Sequence, residues 1–423
     1  MSENFKKQVD ELDKADPLRA FKELFELDEH VIYLDGNSLG PLPKKTGILI
    51  QELVQEQWGK RLIRSWNEDW LVSQKRIANK IAKLIHAEEN EVLISDSVSA
   101  NLYKLAFAAL KAQNGKNKIL TDDLNFPSDL YIFQGLIEQS FPVKVLETIP
   151  QKDLEKANEQ ILTAISAETA LVSLSHVTYK GAFQYDVKSI NEKAKSNGAL
   201  NLWDLSHAVG AVHIDVKSMQ IDMAVGCTYK YLNGGPGAPS FLYVSKALQN
   251  SLVNPIAGWF SHTNPFEFNP DFVTSNTIQR FAVGTPPVLS LKAIEPGIDI
   301  FLDAGMKNIH FKSVELFELF FQLFQYFLKE INFNIETPIT AASRGSHIAL
   351  THDEAYRINL SLINPRIDRK TIITDHRPPN NIRIALTPLY LSFGELYETV
   401  LRLKEIVDTK EFENHSPVKT GVI

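Results

Sequence analysis

Hydrophobic residues recur at two spacings along this chain, and the two spacings alternate. Ile77, Ile81 and Ile85 share one helical face, and the apolar run Glu91–Ser95 that follows indicates a short strand. The same alternation predicts helices over Asn101–Ala112, Asp129–Gln139 and Val187–Ser196, and strands over Lys118–Thr121, Val143–Thr148, Ala170–Ser175 and Leu200–Asp204. Strands rich in Val, Ile and Leu that alternate with helices predict an α/β fold, with a mainly parallel sheet covered by helices in a large domain.

The pattern changes after Pro286-Pro287. A helical region continues to about Glu330, and short strands near His347–Leu350 and Ile382–Leu386 come after it. This predicts a smaller C-terminal α+β domain. We expect three parts: an N-terminal segment, residues 1–40, that packs on the small domain, a large domain over residues 41–306, and the small domain over residues 307–423.

The composition is that of an ordinary globular protein. Of 423 residues, 44% are hydrophobic and 22% are charged, and the net charge of -7 gives no basic surface for nucleic acid or an anionic membrane. The segment Met1–Asp16 is charged and lacks the apolar core of a secretory signal, and a single cysteine cannot form an internal disulfide. We expect a cytoplasmic protein with a small-molecule partner and without a metal, nucleic-acid or membrane partner.

A carboxylate and a lysine carry the strongest chemical signal. Asp204 ends the predicted strand Leu200–Asp204, and Lys230 follows the apolar run Met223–Cys227. Beyond the carboxyl end of a strand, a buried carboxylate can keep a pyridine nitrogen protonated, and a lysine amine can hold an aldehyde as a Schiff base. The pair predicts a pyridoxal phosphate enzyme.

Each of these residues also has an ordinary structural explanation. Most lysines are solvated surface charges, and Asp204 would serve equally as the cap of a helix whose first turn holds His207. Gly234–Gly237 has the composition of a nucleotide-binding loop, but it follows the lysine and lacks the Gly-Lys-Ser/Thr ending of a P-loop. Their occurrence together within residues 203–237 favours the cofactor interpretation.

Two further polar segments follow predicted strands. Ser97–Asn101 lies where a strand leads into a helix, so its hydroxyls and free amides suit a phosphate, although a plain helix cap would look the same. Phe126–Asp129 offers an aromatic ring for a planar cofactor with a polar group beside it, although it would equally form a turn. Each segment indicates a cofactor site only in combination with Lys230.

Together these motifs resemble the kynureninase family, in the aminotransferase class V branch of the fold-type I pyridoxal phosphate enzymes. The likeness runs from about Tyr33 to Tyr390. It rests on Tyr33–Gly40, Ile63–Asn67, Phe126–Asp129, Trp203–Gly210, Cys227–Gly235, Gly258–Phe260, Arg344–His347, Arg383 and Pro388–Tyr390. The resemblance implies hydrolysis of L-kynurenine, and more weakly of 3-hydroxykynurenine, to anthranilate or 3-hydroxyanthranilate and L-alanine, a step of tryptophan degradation that can feed NAD biosynthesis.

The resemblance also implies roles for individual residues. Lys230 would hold pyridoxal 5'-phosphate, Asp204 would pair with its pyridine nitrogen, and Tyr229 would be a third catalytic residue that relays protons. Arg383 would bind the substrate α-carboxylate, a task suited to its planar, permanently charged fork, although a surface ion pair is its ordinary explanation. The other implied cofactor-binding residues are Val98, Ser99, Phe126, Pro127, Ser128, Asp129, Ser175, His207, Trp259 and Thr285, and the other substrate-binding residues are Asn37, Ser38 and Trp66.

The family likeness further implies a homodimer with a shared active site, in which Trp259 and Thr285 come from the second subunit. Trp66 and Thr285 match the bacterial pattern, which implies a preference for L-kynurenine over its 3-hydroxy form. Ser99 stands where a threonine is expected in the family, and it keeps the hydroxyl.

Other functions remain open from the sequence. One is a different class V enzyme, an aminotransferase or a cysteine desulfurase, but desulfurases need a mobile cysteine, and Cys227 lies in an apolar run that indicates a buried thiol. Those relatives also usually have histidine where this chain has Tyr229. Another is a pyridoxal phosphate-binding regulator, for which residues 1–30 are too few and too acidic to form a DNA-binding domain.

Overall fold

The computed structural model describes residues 2–113, 115–139, 145–151, 153–366 and 368–418. The α-helices are α1 (Ser2–Ala15), α2 (Lys44–Glu52), α3 (Leu71–Leu84), α4 (Val98–Ala112), α5 (Pro127–Glu138), α6 (Ala157–Ala164), α7 (Val187–Ser196), α8 (Lys246–Gln249), α9 (Val288–Ala304), α10 (Met306–Phe327), α11 (Ala355–Ile363) and α12 (Phe393–Asp408). The strands are β1 (Val31–Tyr33), β2 (Val92–Ile94), β3 (Lys118–Asp122), β4 (Val145–Ile149), β5 (Thr169–Ser175), β6 (Leu200–Asp204), β7 (Met223–Gly226), β8 (Phe241–Val244), β9 (Asn334–Ile335), β10 (His347–Thr351), β11 (Thr371–Ile373), β12 (Asp375–Arg377) and β13 (Asn381–Ala385).

The large sheet confirms the predicted α/β fold. In the described part of the chain its strands run in the order β2-β8-β7-β6-β5-β3-β4. Neighbouring strands from β7 through β4 pair in parallel, and β8 runs antiparallel to both β7 and β2. The carboxyl ends of β3, β5 and β6 therefore open at one edge, where a site is expected in such a sheet.

Both faces of the large sheet are covered because alternate strand residues point to opposite sides. On one face Val172 and Trp203 pack in a core with α3, α7 and α9, and on the other Leu171 and Leu202 pack with α4 and α5. Strands covered on two faces are buried along their whole length, and every residue of β5 is buried.

A second core surrounds a smaller antiparallel sheet of order β12-β13-β10-β9. It contains residues of α10, α11 and α12, and Val9, Ile32 and Leu34 from the N-terminal segment pack into it. Strand β1 also pairs in parallel with β11. These contacts support the predicted attachment of residues 1–40 to the small domain, and we propose the boundaries 40/41 and 306/307 on the same grounds.

Most predicted elements lie within one to three residues of the observed ones, and α7 and β6 have the predicted bounds. The predicted strand Val143–Thr148 corresponds to β4, but Val143 and Lys144 lie outside the described residues. Strand β8 and the β1–β11 pair were not predicted, since each strand has only three or four residues and β1 and β11 pair with segments far away in sequence.

Candidate active site

A cavity of about 760 Å³ lies where the carboxyl edge of the large sheet meets the small sheet. Most of the predicted site residues line it. They are Asn37, Ser38, Val98, Ser99, Phe126, Ser128, Asp129, Asp204, His207, Tyr229, Lys230, Thr285 and Arg383. The fold thus gathers residues from one end of the chain to the other around a single space.

Lys230 lies in a tight loop directly after β7. The loop is closed by hydrogen bonds from the Asn233 amide to the Lys230 carbonyl (2.9 Å) and from the Gly234 amide to the Thr228 carbonyl (2.9 Å). The Gly40 amide donates to the Tyr229 carbonyl at 2.8 Å. A Cβ on Gly40 would overlap Asn233 and the Lys230 carbonyl oxygen, so glycine is required for this approach. The N-terminal segment therefore holds the lysine loop in place.

The Lys230 amine lies beside a histidine. Its Nζ is 3.2 Å from His207 Nε2 and 3.4 Å from Nδ1. Burial and the Lys230 charge hold the pKa of His207 well below its usual value. A neutral imidazole here can accept a hydrogen bond from the lysine or lie flat near a planar ligand without adding charge.

Asp204 and Asp129 form a buried pair of carboxylates at the floor of the cavity. Asp204 Oδ1 accepts hydrogen bonds from the Ser206 amide (2.8 Å) and hydroxyl (2.5 Å). Burial raises the pKa of Asp204 against the opposing effects of Ser206 and Lys230. Burial and then the nearby Asp204 charge raise the pKa of Asp129 well above its usual value. The two carboxyls together are therefore suited to a ligand that brings positive charge.

Small hydroxyl residues surround the amino end of α4. Ser97 caps this helix by accepting from the Ala100 amide at 3.3 Å, and the Ser99 hydroxyl lies 2.8 Å from that of Ser128 at the start of α5. Both helix N-termini thus point free amides and hydroxyls into the cavity, where an anionic group is stabilised.

Two aromatic rings, Phe126 and Tyr179, meet on one wall of the cavity. Phe126 is 46% exposed because it faces the cavity, and the Tyr179 ring meets it edge to face with centroids 5.4 Å apart. A planar ligand lying on Phe126 would therefore also contact Tyr179.

Arg383 is almost fully enclosed, with 1% of its side chain exposed. Its Nε donates to Asp375 Oδ1 at 2.8 Å, and its Nη2 donates to Asp375 Oδ2 and, at 2.9 Å, to the Ser38 hydroxyl. Its Nη1 donates to the Tyr179 carbonyl at 2.6 Å. The sequence left open that Arg383 forms an ion pair at the protein surface. In the structure its ion pair with Asp375 is buried instead, and Arg383 lines the cavity.

Four predicted residues do not line this cavity. Ser175 is buried at the end of β5, where its amide donates to Asn125 Oδ1, and Pro127 opens α5 between two lining residues. Trp66 lies in a π-helical segment with its ring against Trp70, and Trp259 is 43% exposed among phenylalanines. Their roles stay predictions, as does the contribution of Thr285 to a partner's site, since Thr285 also lines the cavity of its own chain.

Several lining residues escaped the sequence reasoning. They are Asp96, Ser206, Tyr179 and Arg377, together with Asp375, which pairs with both arginines. Ser206 was recoverable, because it stands two residues after Asp204 and short polar side chains bond the backbone locally. Tyr179 and Arg377 lie in loops and short strands with no spacing signal.

Three observations on the described residues concern the thiol, a metal site and a membrane span. Cys227 is buried, and burial raises the pKa of its thiol, so it is not placed as a mobile nucleophile. No group of side chains with the composition of a metal site occurs in the described ranges, and no helix there has the length and apolar character to span a bilayer.

Comparison with known proteins identifies the family to which this chain belongs. The model of the aminotransferase class-V family matches residues 32–356. A kynureninase of Pseudomonas fluorescens is 38% identical over 407 residues, which cover 94% of each chain. A cysteine desulfurase structure from Thermococcus onnurineus NA1 aligns with a TM-score of 0.72 at 18% identity, covering 95% of this chain and 98% of that one. A variant of C-DES with glycine covalently linked to its PLP cofactor aligns with a TM-score of 0.75 at 16% identity, covering 88% and 96%.

The structural likenesses lie below 25% identity and establish the fold, whereas the sequence match extends through nearly the whole of both chains. The chain belongs to the kynureninase family of the class V aminotransferases.

Proposed function

We propose that this protein hydrolyses L-kynurenine to anthranilate and L-alanine with pyridoxal 5'-phosphate as its cofactor. The observation that carries the proposal is the full-length likeness to a kynureninase, joined to a cavity that holds Lys230, Asp204 and Arg383 together. A role in tryptophan degradation in the cytoplasm, which can feed NAD biosynthesis, belongs to the same proposal.

The residues of the cavity match the chemical groups of pyridoxal phosphate. Lys230 supplies the amine for its aldehyde, Asp204 supplies a carboxylate whose Oδ2 takes neither of the Ser206 bonds, and the α4 and α5 termini supply donors for a phosphate. Phe126 supplies an exposed ring for stacking. When bound, pyridoxal phosphate supplies an electron sink for the carbanion formed at the substrate Cα.

The chain's own residues bind the substrate and move protons. Arg383 and Ser38 lie together at the small-domain side, where they can hold the α-carboxylate. Lys230 Nζ, once free, would remove the Cα proton, and the neutral His207 beside it can accept a hydrogen bond from the lysine and so orient it.

Tyr229 is proposed to relay protons in the later steps. Burial raises the pKa of its phenol, so the hydroxyl keeps its proton at working pH and can donate it. A Tyr229→Phe enzyme is expected to turn over at least about tenfold more slowly while binding cofactor normally. Unchanged turnover would remove Tyr229 from this role.

The assay for the function is the growth of anthranilate fluorescence when the cofactor-loaded protein is mixed with L-kynurenine, with 3-hydroxykynurenine run in parallel. Lys230→Ala is the control, and it should give no signal because no other cavity amine of the described residues replaces Lys230. We expect the faster reaction with L-kynurenine. A loaded wild-type protein that releases no anthranilate would shift the assignment to another class V reaction.

We also propose a homodimer with a shared active site. Large apolar side chains are exposed between residues 48 and 63, before α3, and between residues 259 and 273, between α8 and α9, which is unfavourable for a monomer. They are Ile48, Trp58, Ile63, Trp259, Phe266, Phe268, Phe272 and Val273. Trp259 would then reach the cavity of the partner across such an interface.

A further inference from the structure

Arg377 is a second arginine on the wall of the cavity, and the family likeness assigns it no role. It lies on β12, where Asp375 is directly opposite Arg383 on β13. Residues two apart on a strand share a face, so Asp375, Arg377 and Arg383 all project from the same side of the small sheet. Arg377 Nη2 is 2.8 Å from Asp375 Oδ2, and 30% of its side chain is exposed.

The hydrogen bonds of Arg383 leave it little to offer a ligand. A guanidinium has five N–H donors. Arg383 uses both Nη2 donors and Nε on Asp375 and Ser38, and one Nη1 donor on Tyr179. One N–H on Nη1 remains, whereas a carboxylate has two oxygens that each accept more than one donor. A second cation is needed to satisfy it.

Arg377 has the donors that Arg383 lacks. Its Nε is buried and has no hydrogen-bond partner among the described residues. That N–H is out of a ligand's reach, but the side chain lines the cavity, is 30% exposed and forms an ion pair only with Asp375 among the described residues, through Nη2. Its other terminal N–H groups therefore remain to bind a carboxylate.

The charges around the two arginines also favour one incoming anion. Among the residues that the structure describes, Asp375 is the one carboxylate paired with both of them. Burial acts to raise the pKa of Asp375, but the bonds and charges of Arg383 and Arg377 outweigh it, and the pKa lies below the usual value. Burial and the Asp375 charge raise the pKa of nearby Asp35 to about 7. Below about pH 7, where Asp35 keeps its proton, two cations therefore face one ionised carboxylate, and a substrate carboxylate balances the excess.

We propose that Arg377 is a substrate-binding residue that holds the α-carboxylate together with Arg383. Asp375 is then the positioning residue that fixes both guanidinium groups. The inference rests on the proposed function in one respect, namely that the ligand is an α-amino acid.

The test compares L-alanine with L-alaninamide, which keeps the amine and loses the negative charge. Their dissociation constants are measured from the change in visible absorbance of the cofactor-loaded protein. Arg377→Gln should reduce the preference for L-alanine over L-alaninamide by about tenfold or more, since a hydrogen bond to a charged group contributes that much. Arg377→Lys, which keeps the charge and loses the planar fork, should give an intermediate preference.

Arg366→Gln is the matched control, because it removes the same charge from an exposed position of the small domain outside the cavity. It should leave the preference unchanged. Equal weakening of both ligands by Arg377→Gln, or an unchanged preference, would overturn the inference. Alanine binding that depends on Arg377 in a protein that releases no anthranilate would leave this inference standing and reject the proposed function.

Discussion

Asp35 shows how a single side chain makes stability depend on pH. Its carboxyl lies beside Asp375 and Ser38, and burial followed by the Asp375 charge raises its pKa from 3.8 to about 7. Because the folded pKa is the higher one, the folded protein binds more protons than the unfolded chain between these values. The free energy of unfolding contributed by Asp35 therefore falls as the pH rises from 3.8 to about 7 and is lost above that.

Asp35→Asn should remove this dependence. Relative to wild type, the variant should gain stability as the pH rises through the window from 3.8 to about 7, and the gain should level off beyond it. Urea unfolding at a series of pH values measures the difference. Asp10→Asn, at an exposed position of α1, is the control. A stability difference that does not change with pH would contradict the assigned environment of Asp35.

At this scale the sequence predicted residues whose chemistry is visible in a local motif. Asp204 and Lys230 each stand at a strand end, so position and residue type together indicated a site, and both line the cavity. Asp375 and Arg377 have no such signal, because a charged pair on a short strand looks like a solvated edge. Their placement depends on the pairing of β12 with β13, which no local pattern shows.

At the level of elements, the start of α12 is capped from a distant segment. Asp13 of α1 accepts hydrogen bonds from the Phe393 and Gly394 amides at 2.8 and 2.9 Å. Asp13→Ala should lower the free energy of unfolding by about 1 kcal/mol, as the loss of a cap does. Chemical denaturation measures this. Asp10→Ala on the same helix should change it by less than about 0.5 kcal/mol, and an equal loss in both variants would mean that Asp13 does not act as a cap.

The lysine loop depends on Gly40. Gly40→Ala would press a methyl group against Asn233 and the Lys230 carbonyl, and displacing a catalytic group by about 1 Å costs on the order of 100-fold in kcat/KM. Anthranilate release by the variant measures the loss. Gly47→Ala is the control, because Gly47 lies in α2 with open space around it, and alanine there should add up to about 1 kcal/mol of stability. Full activity in Gly40→Ala would show that the loop tolerates displacement.

Elements with strong periodicity were predictable, and those held by partners far away in sequence were not. α7 and β6 carry their signal in ten and five consecutive residues. β1 and β11 are three residues each, and they exist as strands because they pair with one another across 340 positions from Val31 to Thr371. The hydrophobic pattern of a segment predicts that the segment is buried, but it does not predict the strand with which it pairs.

At the level of the whole molecule, the exposed apolar surface predicts self-association. Phe268→Asp and Ile63→Asp place a charge on side chains that are 74% and 75% exposed. Each variant should have a light-scattering mass closer to one chain and a reduced rate of anthranilate release, because burying an unpaired charge opposes assembly. Phe311→Asp, on α10 and 61% exposed, is the control. A wild-type mass equal to one chain under active conditions would reject the dimer.

The two groups that would hold an amino acid belong to different cores. Lys230 belongs to the large sheet, whereas Arg377 and Arg383 project from the small one, and Ser38 follows the strand that pairs with β11. A bound amino acid therefore contacts both the part built on the large sheet and the part built on the small sheet, and it links these two separately packed halves. A ligand with a carboxylate should raise the unfolding temperature of both halves together, whereas an amine alone should leave the small half free to melt at its own temperature.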